Sequence, residues 1–289
     1  MGFSTVLVVE TPVSKDYGRF FEAVFAQLPS SHPGVDILVA HPPKQTKELN
    51  FVLAQLYNQV RGHANKGNFS FKFGINVIFQ TRRTDWELAF VPKGESSEFG
   101  LSDRVLTVEA DINTLKTPDF ASFAYQQFAV SAVGGTFDHL HDGHKILLLM
   151  AAFVTKKHLI VGVTGPQMLL KKKYADAMET IEQRIKAVTR FLQEILPASV
   201  SFAIYQIDDV CGPTGFIKDI DALVISEETR KGADFVNDYR EKQDFPALEV
   251  VSVDVLGATG KEDENWQGKI SSTDLRQEEL KRVKKQRLH

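Results

Sequence analysis

Two kinds of apolar pattern take turns along the second part of the chain, one typical of strands and one typical of helices. Continuous apolar runs at residues 128–133, 158–163, 201–206, 222–225 and 248–253 predict buried strands. The most regular helical pattern between them places Met178, Ile181, Ile185, Val188, Leu192 and Ile195 three or four residues apart and ends before Pro197. Strands that alternate with helices predict a parallel, doubly wound sheet. A last helix is expected from about Ser271.

The first part of the chain also mixes strands with helices. Apolar stretches at 6–9, 35–39, 69–79, 86–91 and 105–108 predict strands, and stretches at 17–28 and 47–60 predict helices. We therefore expect a smaller α/β domain at residues 1–125 and a second domain at residues 126–289, with a boundary uncertainty of about ten residues. The sequence shows no internal repeat, and the first domain contains no glycine-rich phosphate turn.

Composition and charge narrow the classes of function. The chain has 289 residues, 43% hydrophobic and 25% charged, which suits two globular domains. Its net charge of −3 gives no general attraction to nucleic acid or to an anionic membrane, so a phosphate ligand needs a local site. A single cysteine, Cys211, and the absence of a basic leader before the first strand indicate a cytoplasmic protein.

Candidate chemistry begins directly after the strand at 128–133. The following residues read Gly134-Gly-Thr-Phe-Asp-His-Leu-His-Asp-Gly-His-Lys145 and lead into an apolar helix. Paired glycines let a ligand approach the backbone, and the helix start offers unpaired N–H groups and a positive dipole end to an anion. His141 and His144 lie three residues apart, so both imidazoles share one face and can donate to phosphate oxygens.

Two other interpretations of this turn are open. His139, His141 and His144 are close enough in sequence to be zinc ligands, although no fourth ligand recurs at zinc-like spacing. Alternatively, the histidines stand in an ordinary turn by chance. His139 alternates with His141 and is the histidine most easily explained as structural.

The segment resembles the HxGH signature of the nucleotidyltransferase superfamily, and GGTFDHLHDGHK is similar to the phosphopantetheine adenylyltransferases of the archaeal and eukaryotic type. The resemblance covers roughly residues 128–280 and implies a Rossmann-like nucleotidyltransferase fold for the second domain. It implies that His141 and His144 are catalytic. By the same resemblance, nucleotide contacts are expected at Gly134, Gly135, Thr136, Phe137, Asp138 and Gly143.

Ile270-Ser-Ser-Thr-Asp-Leu-Arg276 resembles the ISSTxxR segment of the same family. Hydroxyl groups and free N–H groups at a helix start, with an arginine one turn later, suit the β- and γ-phosphates of a nucleotide. The resemblance therefore adds Ser271, Ser272, Thr273 and catalytic Arg276 to the candidate site. Taken alone, the segment also fits an ordinary helix cap followed by a surface arginine.

Other segments match the family as well. Ser226-Glu-Glu-Thr229 with Gly232, Asn237 and Arg240 resembles its SxETxxGxxxNxxR stretch, which implies nucleotide contacts by Ser226, Glu228, Thr229, Asn237 and Arg240, although the last two can equally be surface residues. Asp209, Gly212 and Pro213 match a DPYGP turn that has lost its first proline and its tyrosine here, and the resemblance implies a nucleotide contact by Asp209.

A basic stretch, Lys171-Lys-Lys173, precedes the long amphipathic helix of the second domain. It resembles the family's segment between the second strand and the long helix, and by that resemblance we assign Lys172 to the reacting phosphates, although three consecutive lysines are typical of a solvated surface. Arg184, off the apolar stripe of the helix, is expected either at a phosphate or at the surface.

The resemblance implies transfer of AMP from ATP to 4′-phosphopantetheine, which gives dephospho-coenzyme A and pyrophosphate with Mg²⁺ bound mainly through the nucleotide. No dedicated metal-ligand set is expected. A GxxxxGK[ST] loop is absent, so the chain should lack the kinase activity fused to this domain in animals. The alternatives are a cytidylyltransferase acting on a phosphorylated alcohol, and a non-catalytic scaffold in which residues 1–125 bind other enzymes of coenzyme A synthesis.

Overall fold

The computed structural model describes residues 3–79, 83, 85–95, 102–116, 120, 126–253 and 271–286. They form two compact units, the first extending to Tyr125 and the second starting at Gln126 and including the C-terminal helix. Residues 121–125, where the sequence places the boundary, lie outside the described part. No helix in the described part is long and apolar enough to cross a membrane.

The first unit is a parallel sheet with helices. Its elements are β1 (Thr5–Val9), β2 (Lys15–Asp16), α1 (Gly18–Phe25), β3 (Gly34–Val39), α2 (Thr46–Lys66), β4 (Gly74–Ile78), β5 (Leu88–Pro92), β6 (Val105–Val108) and β7 (Asn113–Thr114). The main sheet has the order β4-β3-β1-β5-β6, and all its pairs are parallel. β1 and β3 are buried along their whole length, as expected for central strands covered on both faces.

One predicted strand of this unit is shorter than expected. The apolar stretch at 69–79 forms a strand only from Gly74, because the chain leaves α2 through Asn68 in a left-handed conformation. Phe69 and Phe73 then pack their rings against Phe25, with centroid separations of 5.2 and 5.5 Å. Aromatic packing therefore explains the apolar residues that the alternation rule assigned to the strand.

The second unit follows the predicted alternation of strands and helices. It comprises β8 (Phe128–Gly135), α3 (Asp142–Val154), β9 (Thr155–Thr164), α4 (Ile181–Ile195), β10 (Ser201–Ile207), β11 (Ala222–Ser226), α5 (Arg230–Glu241), β12 (Glu249–Val253) and α6 (Ser272–Gln286). The strands form one parallel sheet in the order β10-β9-β8-β11-β12. The doubly wound parallel sheet predicted from the sequence is confirmed.

Local signals explain the ends of the long helix α4. Thr180 caps its N-terminus in a reciprocal capping box with Gln183, so the helix starts at Ile181 rather than at Met178, where the apolar periodicity begins. The helix ends at Ile195, shortly before Pro197. Its buried face includes Val188, Phe191 and Leu192.

Both sheets have the same strand order. Counted along the chain within each unit, the parallel strands are arranged 3-2-1-4-5. In such a sheet the order reverses beside the first strand, and ligands bind in the crevice beyond the carboxyl ends of the strands at that point. In the second unit this switch point lies between β8 and β11, so the glycine-rich turn and the Ser226 segment meet there. This repetition of topology is not accompanied by a repeat that can be recognised in the sequence.

Candidate active site

The turn between β8 and α3 holds a strained backbone. Phe137 and His139 have φ angles of 49° and 48°, in the left-handed region that bulky side chains rarely adopt. Gly134 is exposed, and a Cβ built on it would meet no protein atom closer than 3.9 Å. Protein packing therefore does not require glycine at this position, and its use by a close ligand stays a prediction.

His141 and His144 form a stacked pair at the start of α3. Their ring centroids lie 3.9 Å apart with an interplanar angle of 24°, and Phe137 covers the His144 ring at 5.3 Å. Burial, with a smaller contribution from His141, holds the pKa of His144 well below its usual range. Nδ1 of His144 is buried without a hydrogen-bond partner among the described residues. A neutral imidazole with its proton on Nε2 fits this environment.

His139 is separate from that pair. Its Nε2 lies 2.9 Å from the carbonyl oxygen of Ala177, and its backbone N–H donates to Glu179. The part of the chain that the structure describes holds no group of three or more His, Cys, Asp or Glu side chains that could bind a metal ion. The three-histidine zinc interpretation is therefore contradicted.

Asp138 connects three segments of the unit. Its Oδ1 accepts from the backbone N–H of Glu179 at 2.9 Å, and its Oδ2 is 2.5 Å from Arg276 Nη1. Its backbone carbonyl accepts from the hydroxyl of Ser272 at 3.0 Å. The side chains of Asp138 and Phe137 are fully buried, so a nucleotide contact at these two positions stays a prediction for their backbone groups only. Both side chains shape the turn that presents the histidines.

The start of α6 docks on this turn. Ser271 and Asp274 bond to each other as a helix cap, and these bonds, with a smaller effect of His141, lower the pKa of Asp274. Thr273 Oγ1 accepts from Arg276, whose Nε also donates to the carbonyl of Lys173. Ser271 is thus the ordinary cap. Ile270 lies outside the described residues.

Arg276 itself is buried rather than at the surface, with an exposed fraction of only 3%. Each of its three nitrogen atoms bonds to the protein. The predicted phosphate contact of Arg276 therefore requires a phosphate to share or displace Asp138, and it stays a prediction. The same holds for Ser272 and Thr273, which lie beside the histidine turn in the first turn of α6.

Ser226 and the residues after it stand at the carboxyl end of β11, next to β8. Ser226 is half-buried, and Glu228 and Thr229 are exposed in a short 3-10 helix that leads into α5. The hydroxyl of Thr229 donates to the carbonyl of Ser226 at 2.9 Å. The structure brings these residues to the switch point, where a nucleotide contact by them stays a prediction.

Asn237 and Arg240 have structural roles instead of the predicted nucleotide contacts. The Asn237 amide forms two hydrogen bonds with the backbone of Leu248. Arg240 is fully buried and donates to four backbone carbonyls, those of Thr214, Ile217, Lys218 and Pro246. Asn237 is half-buried, and both side chains hold α5 to the loops that surround it.

Arg184, expected at a phosphate or at the surface, has a structural role of the same kind, whereas a nucleotide contact by the exposed Asp209 stays a prediction. Arg184 is 1% exposed and donates to the carbonyls of Thr136, Thr164 and Glu179, so it fastens the histidine turn to β9. Asp209 Oδ1 accepts from the N–H groups of Cys211 and Gly212, which fixes the turn after β10. Lys172 is exposed, as are Lys171 and Lys173.

Sequence reasoning missed an apolar cavity of about 480 Å³ at the same edge of the sheet. The cavity is lined by residues that come after β9 and β10 in the chain and by residues of α5. The exposed apolar residues of this lining are Met168, Val210, Phe216, Phe235 and Tyr239. Large apolar side chains clustered at the surface are typical of a binding site. A sequence signal for it was the pair Phe235 and Tyr239, one turn apart on α5 and outside the buried face formed by Ala233 and Val236.

Together these residues can serve phosphate chemistry without a covalent intermediate. The histidine pair and the N-termini of α3 and α6 offer hydrogen-bond donors to developing negative charge. Asp138, Arg184 and Glu179 hold the donors in place. The open cavity, lined by residues that follow β9 and β10 and by α5, provides room for an apolar portion of a substrate.

Comparisons with known proteins agree with this geometry. The family model described as cytidylyltransferase-like matches residues 132–278. A phosphopantetheine adenylyltransferase of Saccharomyces cerevisiae is 32% identical over 296 residues, which cover 94% of this chain and 92% of the relative. The Pyrococcus horikoshii protein of the same name is 37% identical over 131 residues, covering 45% of this chain and 81% of its own length.

One solved structure, of a protein of unknown function from Archaeoglobus fulgidus, is 27% identical and has a TM-score of 0.38, with 45% of this chain and 93% of that chain covered. The identity with the yeast relative extends over nearly the full length of both proteins. With its parallel sheet and its histidine turn, the chain belongs to the phosphopantetheine adenylyltransferase family, within the cytidylyltransferase-like group.

Proposed function

We propose that the second unit transfers AMP from ATP to 4′-phosphopantetheine and releases pyrophosphate and dephospho-coenzyme A. The observation that carries this proposal is the stacked pair of His141 and His144 at a helix start on the switch point of the sheet. The names of the yeast and archaeal relatives support the choice of substrates.

In the proposed step, a phosphate oxygen of the acceptor attacks the α-phosphorus of ATP. A new P–O bond forms as the bond from the α-phosphorus to the bridging oxygen breaks, and pyrophosphate leaves with the electron pair. His141 and His144 donate hydrogen bonds to the phosphate oxygens as charge builds on them. Ser272, Thr273 and the N–H groups of α6 hold the leaving pyrophosphate.

The apolar cavity suits the acceptor. 4′-Phosphopantetheine has a phosphate at one end and a long, largely uncharged arm that ends in a thiol. We propose that its phosphate lies at the histidine turn, near Lys172, and that its arm lies along Phe216, Phe235 and Tyr239. Burial of the arm against these rings would add affinity for the acceptor without changing the chemistry at phosphorus.

Mg²⁺ would come with the nucleotide. Asp138 is buried and paired with Arg276, and Asp274 accepts hydrogen bonds from Ser271, so neither carboxylate is set up as a ligand in a protein cage. This arrangement fits a cation that binds chiefly to phosphate oxygens and neutralises part of their charge. The presence of a single cysteine supports a cytoplasmic location.

Pyrophosphate release tests the proposal directly. With the full chain, Mg²⁺, ATP and 4′-phosphopantetheine we expect stoichiometric pyrophosphate and dephospho-coenzyme A. CTP is the discriminating control, because the matching family model also describes cytidylyltransferases. Turnover with CTP and a phosphorylated alcohol, with none for the ATP pair, would replace our proposal by the cytidylyl alternative.

Binding of residues 1–125 to other enzymes of coenzyme A synthesis is a separate proposal. Deletion of those residues followed by a pull-down with the purified enzymes tests it. Retention of every partner by the shortened chain would contradict a docking role for the first unit.

A further inference from the structure

The first unit carries a buried polar cluster at the switch point of its own sheet. The strand order places this point between β1 and β5. Glu10 and Thr11 follow β1, Glu95 lies just beyond β5, and Lys15 and Tyr17 precede α1. In doubly wound sheets this is the position where the backbone after the first strand and the next helix start bind an anion.

Here a carboxylate of the protein holds that position. Glu95 Oε2 accepts from the backbone N–H of Glu10 at 3.0 Å. Glu95 Oε1 accepts from Tyr17 OH at 2.7 Å and from Lys15 Nζ at 2.8 Å. The Glu95 side chain is only 4% exposed. A backbone N–H, a hydroxyl and an ammonium group around a buried anion are the donors that a phosphate would also use.

Tyr17 also binds the backbone donors of the turn. Its hydroxyl oxygen accepts from the N–H groups of Glu10 and Thr11, at 3.0 and 3.1 Å. Tyr17 is fully buried. The backbone donors after β1 are thus occupied by side chains of the unit itself, whereas Gly134, after β8, is exposed.

The first turn also lacks a histidine pair. Thr11 and Gly18 have the same seven-residue separation as Thr136 and Gly143. In that alignment Asp16 and Arg19 take the places of His141 and His144. Asp16 Oδ1 accepts from Gly18 N–H and from Gln59, and Arg19 pairs with Glu22 at the surface.

We infer that the first unit is a second copy of the transferase plan whose anion position is filled by its own carboxylate, Glu95. The unit consequently takes no nucleotide at β1, and loss of the carboxylate opens a site for a small oxyanion such as acetate or phosphate. This inference rests on the geometry of the first unit and does not depend on the function proposed for the second.

Chemical rescue of Glu95→Ala tests the inference. The protein has two tryptophans, so a Trp266→Phe background leaves buried Trp86 of the first unit as the fluorescent probe. We expect Glu95→Ala to lower the unfolding temperature reported by Trp86 by several degrees. Sodium acetate should then restore part of the loss in a saturable way, relative to sodium chloride at equal ionic strength.

Glu22→Ala is the matched control, because that glutamate lies on α1 with its side chain 56% exposed. Acetate should stabilise neither this variant nor the parent beyond the chloride reference. Equal effects of acetate on Glu95→Ala, Glu22→Ala and the parent would overturn the inference.

Amide hydrogen exchange on the unmodified chain provides a second measurement if Glu95→Ala does not fold. Saturating ATP should leave the exchange of residues 10–18 unchanged. Protection of that segment by ATP would overturn the inference, whatever happens at residues 134–144. Failure of the proposed function would instead appear as a lack of protection at residues 134–144.

Discussion

Single residues of the second unit divide into those that face the crevice and those that hold it in shape. Four polar residues that match the family pattern form hydrogen bonds with the protein itself. They are Asp138, Arg184, Asn237 and Arg240. His141 and His144 contact each other and stand at the start of a helix. Chemical roles are therefore best tested at the histidines.

Removal of the His144 imidazole should slow turnover far more than it weakens nucleotide binding. We expect His144→Ala to lose about two to three decades in kcat, equivalent to roughly 3–4 kcal/mol, by analogy with the loss of one oxyanion donor. The dissociation constant for ATP should change much less, because in the proposed function the start of α6 would still hold the phosphates. Steady-state kinetics and calorimetry measure the two effects.

Two companion variants sharpen this test. His144→Gln keeps an N–H near the position of Nε2 and should recover part of the lost turnover. His139→Asn alters the same turn outside the stacked pair, with a residue type that tolerates positive φ, and should stay within about tenfold of the parent. Equal losses in His139→Asn and His144→Ala would show that the turn, not the imidazole, is what matters.

The lowered pKa of His144 makes stability depend on pH. Its pKa in the folded protein is well below the unfolded value of about 6.5, so the unfolded chain takes up a proton first as the pH falls. The stabilisation is complete above that unfolded value and is lost at lower pH. Between pH 6.5 and 5.5 the parent should lose about 1 kcal/mol more unfolding free energy than His144→Gln. Urea unfolding at both pH values checks this difference.

At the scale of elements, α6 completes the crevice by docking on the histidine turn. Its first turn contacts Asp138 through Ser272 and Arg276. From the sequence we predicted a helix from about Ser271, and the structure confirms it. The docking itself could not be predicted, because it depends on an ion pair between residues 138 positions apart in the chain.

Loss of the Asp138 charge should loosen this docking. In Asp138→Asn, Arg276 remains buried without its counter-charge, which should cost about 3 kcal/mol of unfolding free energy and raise the KM for ATP. Glu278→Gln removes an exposed carboxylate of the same helix and should cost at most about 1 kcal/mol. Denaturation and kinetics of both variants test the coupling; similar stabilities would mean that α6 does not depend on the pair.

Over the whole molecule, the order of strands and helices could be predicted from the sequence, because buried parallel strands and amphipathic helices have distinct patterns of apolar residues. Sequence reasoning also brought both histidines and the Ser226 segment into one candidate site. It failed for the buried arginines, since Arg184 and Arg240 appear in the sequence only as polar residues of helices, and their carbonyl partners lie elsewhere in the fold. The repeated strand order could not be predicted, because the turn after β1 and the turn after β8 have few residue types in common.

Because all the candidate site residues lie in the second unit, we predict that this unit functions without the first. A chain of residues 126–289 should fold and bind ATP with a dissociation constant within about threefold of the full protein, since domains of this size bury their own core. Calorimetry compares the two. A folded second unit without affinity for ATP would show that the first unit contributes to the site.

The buried arginines also bear on how distant relatives are judged. A descendant that had lost all catalysis would still need Arg184 and Arg240 to satisfy the carbonyls they bind, so natural selection for folding alone would preserve them. Arginine at those two positions would then be shared by active enzymes and inactive relatives, so it would not distinguish them. A survey of genomes for active members should give weight to His141 and His144, which folding does not protect in the same way.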